Sequence, residues 1–131
     1  LQGVLVEPMA RPGGVEALVG ITRDPVFGHV LTFGLGGIHV EILRDVTRRI
    51  LPVTAGMARE MTGELRASAL LLGARGAAPR DLAALEALIV AVSDHVMRHH
   101  ETIEEIDLNP VWVGAEGEGV MALDAVIVKR S

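Results

Sequence analysis

Ile103-Glu104-Glu105-Ile106-Asp107-Leu108-Asn109-Pro110-Val111-Trp112-Val113 runs into Gly114-Ala115-Glu116-Gly117-Glu118-Gly119, and Val120-Met121-Ala122-Leu123-Asp124-Ala125-Val126-Ile127-Val128 follows. The two outer runs are rich in β-branched residues and the linker is half glycine, which is the pattern of a hairpin. Pairing Ile103–Val113 with Val120–Val128 brings Asn109 and Asp124 side by side on one face. Their amide and carboxylate oxygens are the ligand type that hard cations such as Mg²⁺ take and share with substrate phosphates. The plain alternative is that Asp-x-Asn-Pro ends a strand in a turn, since Asn-Pro is a common turn starter.

Upstream of the hairpin lies the clearest helical pattern, from about Asp81 to His99, with Leu82, Leu85, Leu88, Ile89, Val92 and Val96 at helical spacing. It ends in a basic turn, Arg98-His99-His100, favourable for its dipole. A second helix is expected over Ala55 to Leu65 with Thr54 as N-cap. Leu70-Leu71-Leu72-Gly73 reads as a buried turn and the stretch from Gly73 to Pro79 as a loop. The first half is strand-like: Gly3 to Pro8, Val15 to Arg23, His29 to Leu35, Ile38 to Leu43 and Asp45 to Leu51. Arg11-Pro12-Gly13-Gly14 and Asp24-Pro25-Val26-Phe27-Gly28 supply turns between them. Short separators make this half antiparallel, so the fold class is α+β: a mostly antiparallel sheet packed against two or three helices.

Of 131 residues half are hydrophobic, yet Trp112, Phe27 and Phe33 are the only aromatics, so Val, Leu, Ile, Ala and Met must fill the core. A net charge of −5 and the scarcity of stacking rings argue against nucleic acid as a partner. The absence of cysteine removes disulfides, thiolate metal sites and a cysteine nucleophile, and fits a cytoplasmic location. Ala87 to Val92, the longest apolar run of the helical stretch, is far too short to span a membrane. The chain starts at Leu1, and Val4-Leu5-Val6 reads as a strand without a lead-in. The expectation is one domain, residues 1–131, belonging to a larger protein.

Other constellations have ordinary explanations beside the chemical ones. Glu7 and Glu16 can face one cleft or can be solvated edge carboxylates. Gly34-Leu35-Gly36-Gly37 can cradle an anion or simply turn the chain; it lacks the spacing of a dinucleotide fingerprint. His99-His100-Glu101 reads as a solvated helix end, because adjacent helical residues diverge. His95 and His99 are one turn apart, but no zinc motif accompanies them. His39, beside the glycine turn, is the histidine to test. Ser68 and Ser93 have neither a base nor a nucleophile elbow.

Taken in order, Val4-Leu5-Val6-Glu7-Pro8-Met9, Gly14-Val15-Glu16-Ala17-Leu18-Val19-Gly20, Asp24-Pro25-Val26-Phe27-Gly28, Phe33 to Glu41, Asp45-Val46 with Arg49, and Ile106-Asp107-Leu108-Asn109-Pro110 form a set. Together they resemble the ATP-grasp domain of NDP-forming acyl-CoA synthetases, of the ADP-forming acetyl-CoA synthetase β type. The resemblance implies the C-terminal ATP-grasp subdomain, with the strand leading into it from the hinge. It implies Mg²⁺ on Asn109 and Asp124, and ATP/ADP or GTP/GDP as substrate. By the same resemblance Glu7 lies near the adenine, Glu16 near the ribose, and Asp107 approaches the histidine that carries the phosphoryl group. Asp45 and Arg49 match recurrent positions of undefined role.

The implied reaction converts acyl-CoA, nucleoside diphosphate and phosphate into the free acid, CoA and nucleoside triphosphate, through acyl phosphate and phosphohistidine. The implied partners are nucleotide, an N-terminal ATP-grasp half and a CoA-binding domain or subunit, in an oligomeric full protein without nucleic-acid or membrane partners. This stretch alone is then inactive. The alternative is a synthetase-like regulatory or ligand-sensing module of a protein lysine acetyltransferase. Neither the acyl group nor the preferred base is encoded legibly.

Overall fold

The computed structural model describes residues 14–35, 45–73 and 78–130. The expected strands at Gly3–Pro8 and Ile38–Leu43, with Glu7, His39 and Gly36-Gly37 of the glycine turn, lie outside the described residues. Six strands, β1 (Val15–Asp24), β2 (Gly28–Leu35), β3 (Val46–Ile50), β4 (Ile103–Val113), β5 (Val120–Ala122) and β6 (Ala125–Lys129), form one sheet. Its order is β3-β2-β1-β4-β5, with β6 also on β4, and the described pairings are all antiparallel.

Two helices, α1 (Ala55–Glu64) and α2 (Leu82–Arg98), contribute to the same core as the sheet. Alternation decides which sheet face they meet. Ala17, Val19 and Ile21 of β1 and Leu31, Phe33 and Leu35 of β2 are buried with Ala58 and Met61 of α1 and Leu85, Ile89 and Val96 of α2. Each helix starts on the cap its sequence offers: Met57 N–H donates to Thr54 Oγ1 at 3.2 Å, and Ala84 N–H donates to Asp81 Oδ1 at 3.2 Å. Ser93 is buried mid-helix and accepts from Val53 N–H at 2.8 Å, tying α2 to the segment before α1. That structural role leaves it no nucleophilic one.

Two expectations need correction. Leu70-Leu71-Leu72-Gly73 is not a buried turn: a 3₁₀ turn spans Ser68–Leu70, and Leu71 alone reaches the core, with Leu70 and Leu72 exposed. A tight turn directs successive side chains apart, so only one meets the helices. The return strand of the final hairpin is also not continuous, since the ladder breaks at Leu123-Asp124. Opposite that break is Pro110, whose nitrogen has no hydrogen to donate.

Candidate functional site on the open face of the sheet

No described helix covers the second face of the sheet. Its side chains come in rows, because residues opposite each other in antiparallel strands project to the same side. Arg48, Thr32, Gly20, Asp107 and Val126 form one row. Val46, Gly34 and Leu18 form the next, and it runs on to the Asn109-Pro110 step. Glu16 and Trp112, then Met121, form a third.

The Asn109-Pro110 step is a local irregularity with a useful effect. Along β1, Val19 pairs with Leu108 and Ala17 with Val111, so two residues of β4 stand against the single Leu18. The extra residue resets the alternation: Ile106 and Leu108 point to the core before it, Val111 and Val113 after it. Asp107 and Asn109 therefore stay on the open side, and both are exposed.

Across the hairpin the ladder keeps one register, with Leu108 opposite Ala125 and Val111 opposite Ala122. Asn109 is thus opposite Asp124, and Asn109 N–H donates to Asp124 O at 3.2 Å. Leu123 N–H donates to Pro110 O at 2.9 Å. An amide and a carboxylate held across one hairpin suit a hard cation that completes its shell with phosphate oxygens and water. No group of three or more His, Cys, Asp or Glu able to hold a metal ion occurs among the described residues. Asp107 is two residues before Asn109 on the same face of β4, and its Oδ1 would be 3.8 Å from a Cβ built on Gly20. Glu16 is exposed in the third row.

The hairpin turn is fastened to the start of α2. Asp81, besides capping the helix, accepts from Gly119 N–H at 2.8 Å and Gly117 N–H at 3.2 Å. Donation from Gly119 first, then Ala84 and Gly117, holds its carboxyl below the usual carboxylate range despite the opposing effect of burial. Backbone bonds from Asp81 N–H to Gly114 O at 2.9 Å and from Glu116 N–H to Pro79 O at 3.0 Å complete the attachment. Gly117 and Gly119 both have positive φ, which a side chain resists.

Asp45 and Arg49 now have structural roles. Asp45 is buried and accepts from Arg66 N–H at 2.7 Å and Ala67 N–H at 2.9 Å, fixing the chain that leaves α1 to the start of β3. Arg49 points to the helix side and pairs with Glu64, and with Glu60 at 3.8 Å; Thr47 donates to the same Glu64. Hydrogen bonding from Arg49 and then Thr47 lowers the Glu64 pKa. Sequence reasoning passed over His29, which is buried with Nε2 2.7 Å from Ile103 O and so joins β2 to β4. The His95 and His99 rings are 4.8 Å apart at the exposed end of α2, beside Lys129.

A family model described as an ATP-grasp domain matches residues 1–128. The β subunit of acetate–CoA ligase [ADP-forming] II of Pyrococcus furiosus is 49% identical over 128 residues, covering 98% of this chain and 54% of that protein. The 4-hydroxybutyrate–CoA ligase [ADP-forming] of Nitrosopumilus maritimus is 40% identical over 127 residues, covering 97% of this chain and 18% of that protein. Among solved structures, a dinucleotide-forming acetyl-coenzyme A synthetase of Ca. Korarchaeum cryptofilum superposes with a TM-score of 0.83 at 39% identity, covering 92% of this chain and 55% of that one. That crystal contains coenzyme A and Mg-AMPPCP, with the phosphohistidine segment pointing towards the nucleotide-binding site. The chain spans about half the length of the β subunit it matches and a smaller share of the longer ligase.

Proposed function

The chain belongs to the ATP-grasp domain family, and on that premise we propose that it forms the nucleotide- and Mg²⁺-binding part of an NDP-forming acyl-CoA synthetase. The whole protein converts acyl-CoA, nucleoside diphosphate and phosphate into acid, CoA and nucleoside triphosphate. The observation that carries this reading is the pairing of Asn109 with Asp124 on an open sheet face, in a chain 49% identical to an ADP-forming ligase subunit.

Each residue then has a task suited to its chemistry. Asn109 and Asp124 hold Mg²⁺, whose charge neutralises phosphate oxygens during a transfer that depends on positioning more than on covalent work by the protein. Asp107, exposed beside Gly20, turns its carboxylate toward the histidine that carries the phosphoryl group on another part of the protein. Glu16 takes the ribose side of the nucleotide and Glu7 the adenine side. An N-terminal ATP-grasp half and a CoA-binding domain or subunit complete an oligomeric protein in the cytoplasm. No helix among the described residues is long and apolar enough to cross a membrane.

The relatives named above are acid–CoA ligases or their subunits, so nothing favours the alternative of a regulatory module in a lysine acetyltransferase. The test is CoA release from acyl-CoA by the full-length protein, with nucleoside diphosphate, phosphate and Mg²⁺ omitted one at a time. Release that requires all three supports the reading. Release indifferent to the diphosphate refutes it.

A further inference from the structure

The row Arg48, Thr32, Gly20, Asp107 crosses four strands with no change of face. At about 4.8 Å between neighbouring strands, the Arg48 and Asp107 backbones stand roughly 14 Å apart. Asp107 Oδ1 lies 3.8 Å from where a Cβ on Gly20 would sit, and Gly20 leaves the floor between the two ends as bare backbone. Thr32 adds a hydroxyl next to Arg48. Over β3, β2 and β1 the flanking rows offer Val46, Gly34 and Leu18 on one side and Ile50, Val30 and Thr22 on the other, none of them charged, and Glu105 of β4 stands next to Thr22.

Charge on this face is unevenly distributed. At the described strand positions and their connecting hairpin, Glu16, Glu105, Asp107 and Asp124 lie toward β1 and β4–β6, whereas Arg48 is the single cation. Its neighbour Arg49 faces the helices and is taken up by Glu64 and Glu60. Arg48 is exposed and has no ion pair among the described residues. A guanidinium fork with a hydroxyl beside it matches the oxygens of a phosphate group, which takes two parallel hydrogen bonds and a third from the side.

We propose that Arg48 and Thr32 form a subsite for a phosphate group on the open face, across Gly20 from Asp107. This rests on the reading that phosphate-bearing substrates work on this face, and it assigns the β3 side of the face, away from the metal ligands Asn109 and Asp124 on and beside β4. The group held is either inorganic phosphate or the terminal phosphate of the nucleoside triphosphate. Both present the same chemistry to Arg48.

The test is equilibrium binding by the full-length protein, followed by ³¹P NMR titration with inorganic phosphate and, separately, with ATP and ADP, all without Mg²⁺. Arg48→Gln should weaken one phosphate ligand by about tenfold or more, and Arg48→Lys should fall between wild type and Gln because it keeps the charge and loses the fork. Thr32→Val, matched in shape, should weaken the same ligand by about threefold. A loss confined to inorganic phosphate identifies that source, and a loss for ATP but not ADP identifies the terminal phosphate. The proposal is overturned if Arg48→Gln binds phosphate and ATP within about twofold of wild type, or if wild type binds neither saturably. Repeating the ATP titration with Mg²⁺ on Asp124→Asn keeps the two readings apart. If Mg²⁺ enhancement survives in that variant, the metal assignment fails while the Arg48 result stands; if it disappears while Arg48→Gln is silent, only the subsite fails.

Discussion

Asp124 and Asp81 are both aspartates near the final hairpin, yet their surroundings give them opposite expectations. Asp124 is exposed and its backbone oxygen accepts from Asn109 N–H, while no hydrogen bond or ion pair ties up its carboxylate among the described residues. Asp124→Asn preserves volume and removes the charge offered to Mg²⁺. In the full-length protein it should lower diphosphate-dependent CoA release by about a hundredfold or more, because metal stabilisation of a transferring phosphoryl group is worth several kcal/mol. The melting temperature should barely move. His99→Ala, at the solvated end of α2, should leave the rate nearly unchanged; a variant pattern reversed between these two would return attention to the histidines. Asp81, by contrast, should matter to folding. Its pKa is lowered in the folded state, so the stabilisation is complete above its unfolded pKa and is lost as pH falls through the folded value. Urea melts should show a constant gap between wild type and Asp81→Asn above about pH 4 and a closing gap below it. A gap that widens on acidification would contradict the assignment.

At the scale of elements, β3 is held by what surrounds it. Asp45 anchors its start, Arg49 ties its middle to α1, and Gly34 of β2 admits it closely: a Cβ on Gly34 would meet Val46 Cγ1 at 2.8 Å and Asp45 O at 2.9 Å. The three devices differ in strength. Asp45→Ala leaves two backbone N–H groups without a partner and should cost roughly 2–6 kcal/mol, each such group being worth about 1–3. Gly34→Ala must displace backbone as well as Val46 and should cost about 1–3 kcal/mol. Glu60→Ala removes only a half-solvated ion pair and should cost no more than about 1 kcal/mol. Chemical denaturation of the three variants checks the order; an Asp45→Ala protein as stable as Glu60→Ala would remove the anchor from the account. These contacts explain which features could be read in advance. The hairpin, α2 and the faces of β1 and β2 follow from periodicities local to each run, and so did the pairing of Asn109 with Asp124. The clip from Asp45 to Arg66 and Ala67, the span from Asp81 to Gly117 and Gly119, and the bond from His29 to Ile103 join residues 21 to 74 positions apart. No local pattern encodes such a partner. Leu70 and Leu72 mislead for the same reason, since hydrophobicity does not reveal which residue of a turn will face the core.

At the scale of the molecule the sheet has two unlike faces. One is closed by α1 and α2; the other presents Glu16, Asp107, Asn109 and Asp124 with exposed apolar side chains such as Val126 and Val128 among them. Carboxylates and valines left together on one surface are what a cleft looks like when one wall is present. On the proposed reading a nucleotide resting on this wall meets Asn109 and Asp124 but lacks contacts from above, and water screens each charge it meets. The 131-residue chain alone should therefore bind Mg-ATP with a dissociation constant of about 1 mM or weaker, near −4 kcal/mol at best. The full-length protein should bind it at least about tenfold more tightly, as closure buries the ligand and removes that screening. Trp112, the sole tryptophan of the chain, lies in the row of Glu16 and gives a fluorescence signal for the isolated chain, with calorimetry as the common measurement for both proteins. Micromolar binding by the isolated chain would mean that this face is a complete site, and the two-walled cleft would have to be given up.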